Sequence, residues 1–560
     1  MINSLIARLP GNRNMWVFIL LWLLTFVLYI PAGKTGWVID GAGFLYHLKH
    51  QGFWDFINRT TSTDQSFYQL FTLHYVVFYK LWGINPCLWT VLYITLQAIN
   101  ALLFFIFGAR ILEDSTVKNA RLIAFCSVVI FTVSPHISEI IVCKAYYHYL
   151  QCFLFILLIM LWVQQYQRTQ RSKYIWGAVL LFVMASLTLE IFYLVPVFVL
   201  FIALYYRYAL NYDKAVFRRT VLYFFIPQVI LLCIYFIALK ATYKQLHPHK
   251  IEINQALTDY LSKLPKYLFH ILLLGRYFSF ETKKAAYSFF ESVWALIAVY
   301  TLLAFVFGYT IIRFRKISSE GKAMFLFFAF SIVTICFVMP LSFPGPALLI
   351  FYDRYTYFAD PFLYLLAVLL ITRLIKNKYL LIALFCVYFD LNLYFLIGVN
   401  TYWIESDVIN TRLLRNFPND PNKTVLLLNI PENMNGAPMI GAQPEGMFKI
   451  MREIYTDTVE KNMIYDVMSY NMSADYDGAH VKVLNDSMVR VFINHGGNWW
   501  WYEGHGAQSY ETADYKVNMI NVGYFYDLTL KHPADRYLLL FSVGDKWKKV
   551  DWDKKDVNQD

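Results

Sequence analysis

Four groups of ionisable residues stand where long apolar runs end. The first is Asp40 in "VIDGAGF", where Gly41 and Gly43 remove side-chain bulk and let a ligand approach the backbone closely. The second is "SPHISEIIVCKAYYHYLQ", which gathers Pro135, His136, Glu139, Lys144 and His148. The third is Glu190 in "SLTLEIFYLVP", and the fourth is "FYDRYTYFADPF" with Asp353, Arg354, Tyr355 and Tyr357. A carboxylate placed beside a hydroxyl can take its proton, and a guanidinium can hold a phosphate. Charges at membrane depth are costly and tend to mark function. A plainer reading stands beside this one: each group is interfacial and faces headgroups or water. Glu190 and Asp353 can also be helix caps, or partners of a nearby Arg. His136 alone reads as structural. Asp55, Asp64 and Asp360 read as interfacial, and Asp390 as a satisfied polar group inside a helical bundle.

The elements that must carry these groups are apolar. The chain has 560 residues, of which 58% are hydrophobic and 16% charged, and its mean hydropathy is +0.44. Soluble domains carry roughly a quarter charged residues, so this composition excludes an ordinary soluble protein. Runs long enough to cross a bilayer recur from Met15 to about residue 398. Eleven crossings are expected: 15–32, 87–108, 121–135, 148–165, 174–189, 191–208, 219–241, 290–312, 323–342, 355–373 and 378–398. No small-residue cleavage site follows the first run, which therefore reads as a retained helix.

The net charge of +11 hides an asymmetry. From residue 401 onward there are 16 basic and 22 acidic residues, so the basicity belongs to the apolar part. Its Lys and Arg collect in short loops on one side, which marks that side as cytoplasmic and argues against nucleic acid as a partner. The four chemical groups then share the outer side. Two long outer loops accompany them, residues 33–86 and 242–289. The first contains "FYQLFTLHYVVFYKLWG", which reads as a helix lying at the interface. The second carries Lys244, Lys250, Lys263, Lys266, Arg276, Lys283 and Lys284 against the positive-inside pattern. Either long loops translocate regardless of charge, or these cations meet an anionic headgroup or phosphate. Arg276, set among apolar residues, is the best single candidate.

Two domains are expected. Residues 1–400 form the transmembrane part, and 401–560 form an extracytoplasmic α/β domain. Strand-like runs "KTVLLLNIP", "HVKVLND", "MVRVFIN" and "RYLLLFSVG" surround an amphipathic helix in "GMFKIMREIYTDTVEK". "NHGGNWWWYEGHG" adds Asn498, Trp499, Trp500, Trp501 and Tyr502, which can stack on sugar faces, sit at the interface, or form a buried cluster. The seven cysteines lie in or beside apolar runs and show no metal-type or disulfide spacing.

The order of these features resembles the GT-C superfamily of membrane glycosyltransferases. The likeness is to its protein O-mannosyltransferase-like and tetratricopeptide-linked mannosyltransferase-like branch. It rests on Asp40 in the first outer loop, "LFTLHYVVFYKLWGINPCLWTVLYITLQAINALLFF", "SPHISEIIV", "SLTLEIFYLVP" and "YDRYTYFADPF", in that order over residues 1–375. The chain departs from that branch in having Gly41 after Asp40 where a second acid often stands, and Leu189 before Glu190 where a Lys often stands. No tetratricopeptide repeats follow.

The resemblance implies an inverting sugar transfer from a polyprenyl-phosphate donor to an acceptor hydroxyl. Asp40 would be the general base and Glu139 the second acidic residue. Arg354, Arg276 and Lys266 would hold the donor phosphate, and His136, Glu190, Tyr355 and Tyr357 would line the substrate. The acceptor would be a protein, lipid or glycan. No cofactor is called for, and the first-loop departure at Gly41 counts against a divalent metal there. The setting would be a bacterial inner membrane. A transporter or flippase for a lipid-linked glycan, or an O-antigen ligase or polymerase, is the alternative.

Overall fold

A computed structural model describes residues 13–64, 66–244, 257–338, 353–441, 446–493, 498–499, 508–521 and 525–553. The aromatic run at 500–502 and the second-loop residue Lys250 lie outside these residues. So do the side chains of Asp64, Asn498 and Trp499.

Eight described helices are long and apolar enough to cross a membrane, and nine if one bent pair counts as a single span. They coincide with eight of the eleven expected runs. The other three differ for physical reasons. The run at 121–135 is broken: Ala120–Val133 and Pro135–Val142 meet at 54°. Pro135 has no N–H to continue the ladder, and its ring crowds the preceding turn. Lys173–Ser186 has 14 residues and Asp360–Leu374 has 15, both shorter than the ~20 a helix needs to cross a bilayer core. Helix starts follow the local sequence. Asn85 accepts from the Cys87 amide at 3.1 Å with Pro86 in the first turn, and Asn377 accepts from the Tyr379 amide at 3.0 Å.

The helix Pro86–Asp114 is the hub of the bundle, packed by Arg13–Tyr29, Ala120–Val133 and Tyr147–Thr169. Between Lys34 and Pro86 the chain forms three short helices, Ile39–His50, Phe53–Asp64 and Gln69–Trp82. The third buries Phe71, His74 and Tyr75, so this stretch is packed onto protein along one face. Its Tyr75 hydroxyl donates to the Lys144 carbonyl at 2.5 Å, and Tyr93 donates to the same oxygen at 2.6 Å. Those two bonds fasten the turn at Lys144, just after the bent segment, to the first loop and to the helix Pro86–Asp114.

The last long helix, Lys378–Arg415, has 38 residues, and the expected boundary at 400/401 falls inside it. Strands begin at Thr424. In the tail, Thr424–Leu427 lies between Ile464–Asp466 and Tyr537–Val543, parallel to both, with Lys546–Lys549 antiparallel at the edge. An antiparallel sheet of five strands and a small four-stranded sheet complete it. The predicted helix runs over Met447–Thr456 and buries Met447, Phe448, Ile450, Met451 and Ile454 at helical spacing.

Asp466 ends one of the parallel strands at 6% exposure. Burial pushes its carboxyl up to about 7, with the Phe448 amide offsetting part of the effect. Its folded value lies above the unfolded one, so stability falls as pH rises from about 4 through 7. Asp466→Asn removes that loss. Its gain in folding stability is expected to grow between pH 4 and pH 8, to a ceiling of about 4 kcal/mol. Thermal unfolding of the full chain at both pH values checks this.

Candidate functional site

The bend at Pro135 turns the residues after it across one end of the bundle. Glu139 is thereby aimed at the chain that precedes Asp360–Leu374. Its two oxygens accept from the Arg354 backbone amide at 2.9 Å and from Arg354 Nη1 at 2.6 Å. The guanidinium lies over the rings of Tyr146, at 4.7 Å, and Tyr355, at 4.9 Å, and donates to the Tyr146 hydroxyl at 3.1 Å. A charge-assisted pair with aromatic faces on both sides fixes this guanidinium in place.

Asp353, the preceding residue, faces a different set. His270 Nε2 is 2.8 Å from Asp353 Oδ1, His136 Nδ1 is 3.5 Å from the same oxygen, and Arg276 Nη1 donates to Oδ2. Arg276 also donates from Nη2 to the Asn435 carbonyl of the tail at 2.7 Å. All four side chains are buried. Burial alone would raise the Asp353 carboxyl, but Arg276 and the two imidazoles hold it well below the usual carboxylate range. Burial pushes His270 down to about 4, with Asp353 opposing. His136, His270 and Asp353 have the atom types and convergence to hold a metal ion.

Asp40 is different from both carboxylates. It opens the helix Ile39–His50, is exposed to solvent, and makes no hydrogen bond or ion pair to any described residue. Protein nonetheless surrounds it closely, which raises its carboxyl, and the charge of Arg354 opposes that rise. Gly41 and Gly43 divide their roles. A Cβ on Gly41 would meet Trp37 at 3.4 Å and the Ala145 amide nitrogen at 3.5 Å, whereas one on Gly43 meets nothing within 4 Å. Gly41 admits the protein's own backbone, and Gly43 leaves open space. Ile39 has φ 38°, a conformation that a β-branched residue adopts only under strain of about 1–3 kcal/mol.

The tail holds this helix from behind. Met447–Thr456 packs on Ile39–His50, with His50 Nε2 2.5 Å from Glu453 and Lys49 3.0 Å from Asp457. Asp407 accepts from the Gly36 amide at 2.7 Å, and the Tyr455 hydroxyl donates to the Trp37 carbonyl at 3.2 Å. A Cβ on Gly36 would stand 2.0 Å from the Tyr455 hydroxyl oxygen, so the contact needs glycine there.

The structure thus brings Asp40, Glu139, Arg354 and Tyr355 to one place, with His136 and Arg276 grouped on Asp353 next in the chain. It places the others elsewhere. Glu190 is buried and accepts from the Ser66 hydroxyl at 2.8 Å and from the Tyr68 hydroxyl, so it ties the first loop to a helix turn. Tyr357 is fully buried, donating to Gln97 at 2.6 Å and accepting from Asn100 at 3.1 Å, which makes it a core residue and not a substrate contact. Lys266 is paired with Glu291 at 2.5 Å and lies over Tyr287. Asp360 is buried and accepts from Thr356 at 3.0 Å, which corrects its interfacial reading. Asp390 is exposed on its helix and not enclosed in the bundle. Sequence reasoning missed His270, Tyr146 and Asp407. His270 had a signal, as a lone imidazole in the apolar run "YLFHILLLGRY".

No family model and no curated protein matches the chain.

Proposed function

We propose that the chain is an inverting glycosyltransferase of GT-C type, moving a sugar from a polyprenyl-phosphate donor to an acceptor hydroxyl. The observation that carries this reading is the pairing of an exposed, unbonded carboxylate, Asp40, with the fixed guanidinium of Arg354 at one end of an apolar bundle. A base must reach solvent and its substrate, and a leaving phosphate needs a cation already in place. Asp40 takes the proton of the acceptor hydroxyl as that oxygen attacks the anomeric carbon. The bond from carbon to phosphate oxygen breaks on the opposite face, the polyprenyl phosphate leaves with the electron pair, and the anomeric centre inverts. Arg354 meets the phosphate charge. Glu139 holds Arg354 and is already occupied by it, which leaves Asp40 as the base.

The bundle suits a donor whose tail stays in the bilayer. In this reading the site and the tail domain face the extracytoplasmic side of a bacterial inner membrane, and the acceptor is a protein, lipid or glycan. The test is transfer by the purified protein in nanodiscs, given a panel of polyprenyl-phosphate sugars and its native membrane extract. At least one donor is expected to be consumed with release of polyprenyl phosphate. Vectorial movement of a lipid-linked glycan without donor cleavage would replace this reading with transport.

A further inference from the structure

Three side chains from three separate segments converge on one oxygen in the cluster below Arg354. His136 follows the bend at Pro135, His270 closes the helix Leu257–Leu272, and Asp353 opens the turn Asp353–Thr356. The two imidazole centroids are 4.6 Å apart. The three ligand atoms lie within 4.8 Å of one another, and the two imidazole nitrogens stand 2.8 and 3.5 Å from Asp353 Oδ1. A tetrahedral ion with bonds of ~2.0 Å needs ligand atoms separated by ~3.3 Å, which these distances bracket.

His136 supplies the independent observation. Its side chain is completely buried, and neither ring nitrogen has a hydrogen-bond partner among the described residues. A buried polar group left in that state costs about 1–3 kcal/mol. Its Nδ1 stands too far from Asp353 for a good hydrogen bond, at a distance suited to an ion between them. Arg276 occupies Oδ2 and leaves Oδ1 facing the imidazoles, an arrangement in which a carboxylate bridges a metal and an outer cation.

We propose that His136, His270 and Asp353 bind one divalent transition-metal ion, of the class that prefers imidazole nitrogen, such as Zn²⁺. The ion joins the bent third span, the helix carrying Lys266 and His270, and the turn that carries Arg354. Because its ligands are buried, its part is to position Arg354 and not to meet the substrate. The site stands whether or not the chain transfers sugar, since its test reads metal.

Tag-free full-length protein in detergent is stripped with chelator, reloaded with Zn²⁺ or Co²⁺, and washed. One equivalent of Zn²⁺ per chain is expected in the wild type, with a rise of several degrees in melting temperature. Co²⁺ is expected to give visible d–d bands of four-coordinate type. His270→Gln and His136→Ala, each checked for a monodisperse folded peak, are expected to lose both the equivalent and the bands. Asp466→Asn, in the tail, serves as a variant that keeps them. Less than half an equivalent in folded wild type at micromolar Zn²⁺ overturns the proposal. So does an unchanged equivalent in both histidine variants.

Discussion

Asp40→Asn is expected to lower sugar transfer by about 10²–10⁴-fold while the protein stays folded. The amide has nearly the same shape but cannot accept the proton of the attacking hydroxyl. No described residue hydrogen-bonds to Asp40, so the substitution breaks no structural contact. The stability effect has the opposite sign. The protein packed around Asp40 raises its carboxyl above its unfolded value, so ionising it costs folding free energy as pH rises through the folded value. Asparagine is neutral throughout. The variant is therefore expected to melt at a higher temperature than wild type at pH 8, with the gain fading towards pH 4. Solvent reaches the carboxylate from one side, which keeps that gain small. Transfer assays and thermal unfolding on the same preparations check both halves. Full activity in Asp40→Asn would remove Asp40 from the role of base, and equal loss of fold and activity would make it structural.

The second large effect is expected at the Glu139–Arg354 pair. Glu139→Ala leaves a mostly buried guanidinium without its carboxylate and is expected to cost about 3–5 kcal/mol. The pair Glu139→Leu with Arg354→Met removes both charges and is expected to recover most of that loss, because well-packed apolar groups replace buried ion pairs at little cost. Transfer is not expected to return in the double variant, since no cation then meets the leaving phosphate. Stability and activity would thus separate. If the double variant both folds and transfers, Arg354 has no part in the reaction. Melting temperature and transfer rate, measured on Glu139→Leu, Arg354→Met and the double, form a complete cycle.

The spans were legible because a 20-residue apolar run has one common solution in a bilayer, and eight of the described helices coincide with such runs. The grouping of Asp40, Glu139 and Arg354 was legible in part, because each stands at the same end of its run. Their partners were not. Glu139 and Arg354 are 215 positions apart and His270 and Asp353 are 83 apart, so only the packed bundle shows that they touch. Glu190 misled for the same reason. A carboxylate at a helix turn looks available in sequence, and the hydroxyls of Ser66 and Tyr68 that occupy it come from a different loop. Asp360 misled because it stands at the end of an apolar run, where a carboxylate reads as interfacial, yet it lies in the packed interior.

The helix Lys378–Arg415 runs without a break for 38 residues, or about 57 Å, while a bilayer core is only about 30 Å thick. The excess is a rod that leaves the membrane already aimed. Each residue along it turns the tail by about 100° and advances it by ~1.5 Å. One residue added near Asp390 would swing Met447–Thr456 away from Ile39–His50 and carry Glu453 off His50. Length in this rod is therefore an angle as much as a distance, and the tail is keyed to the Asp40 helix as a shaft is keyed to a gear.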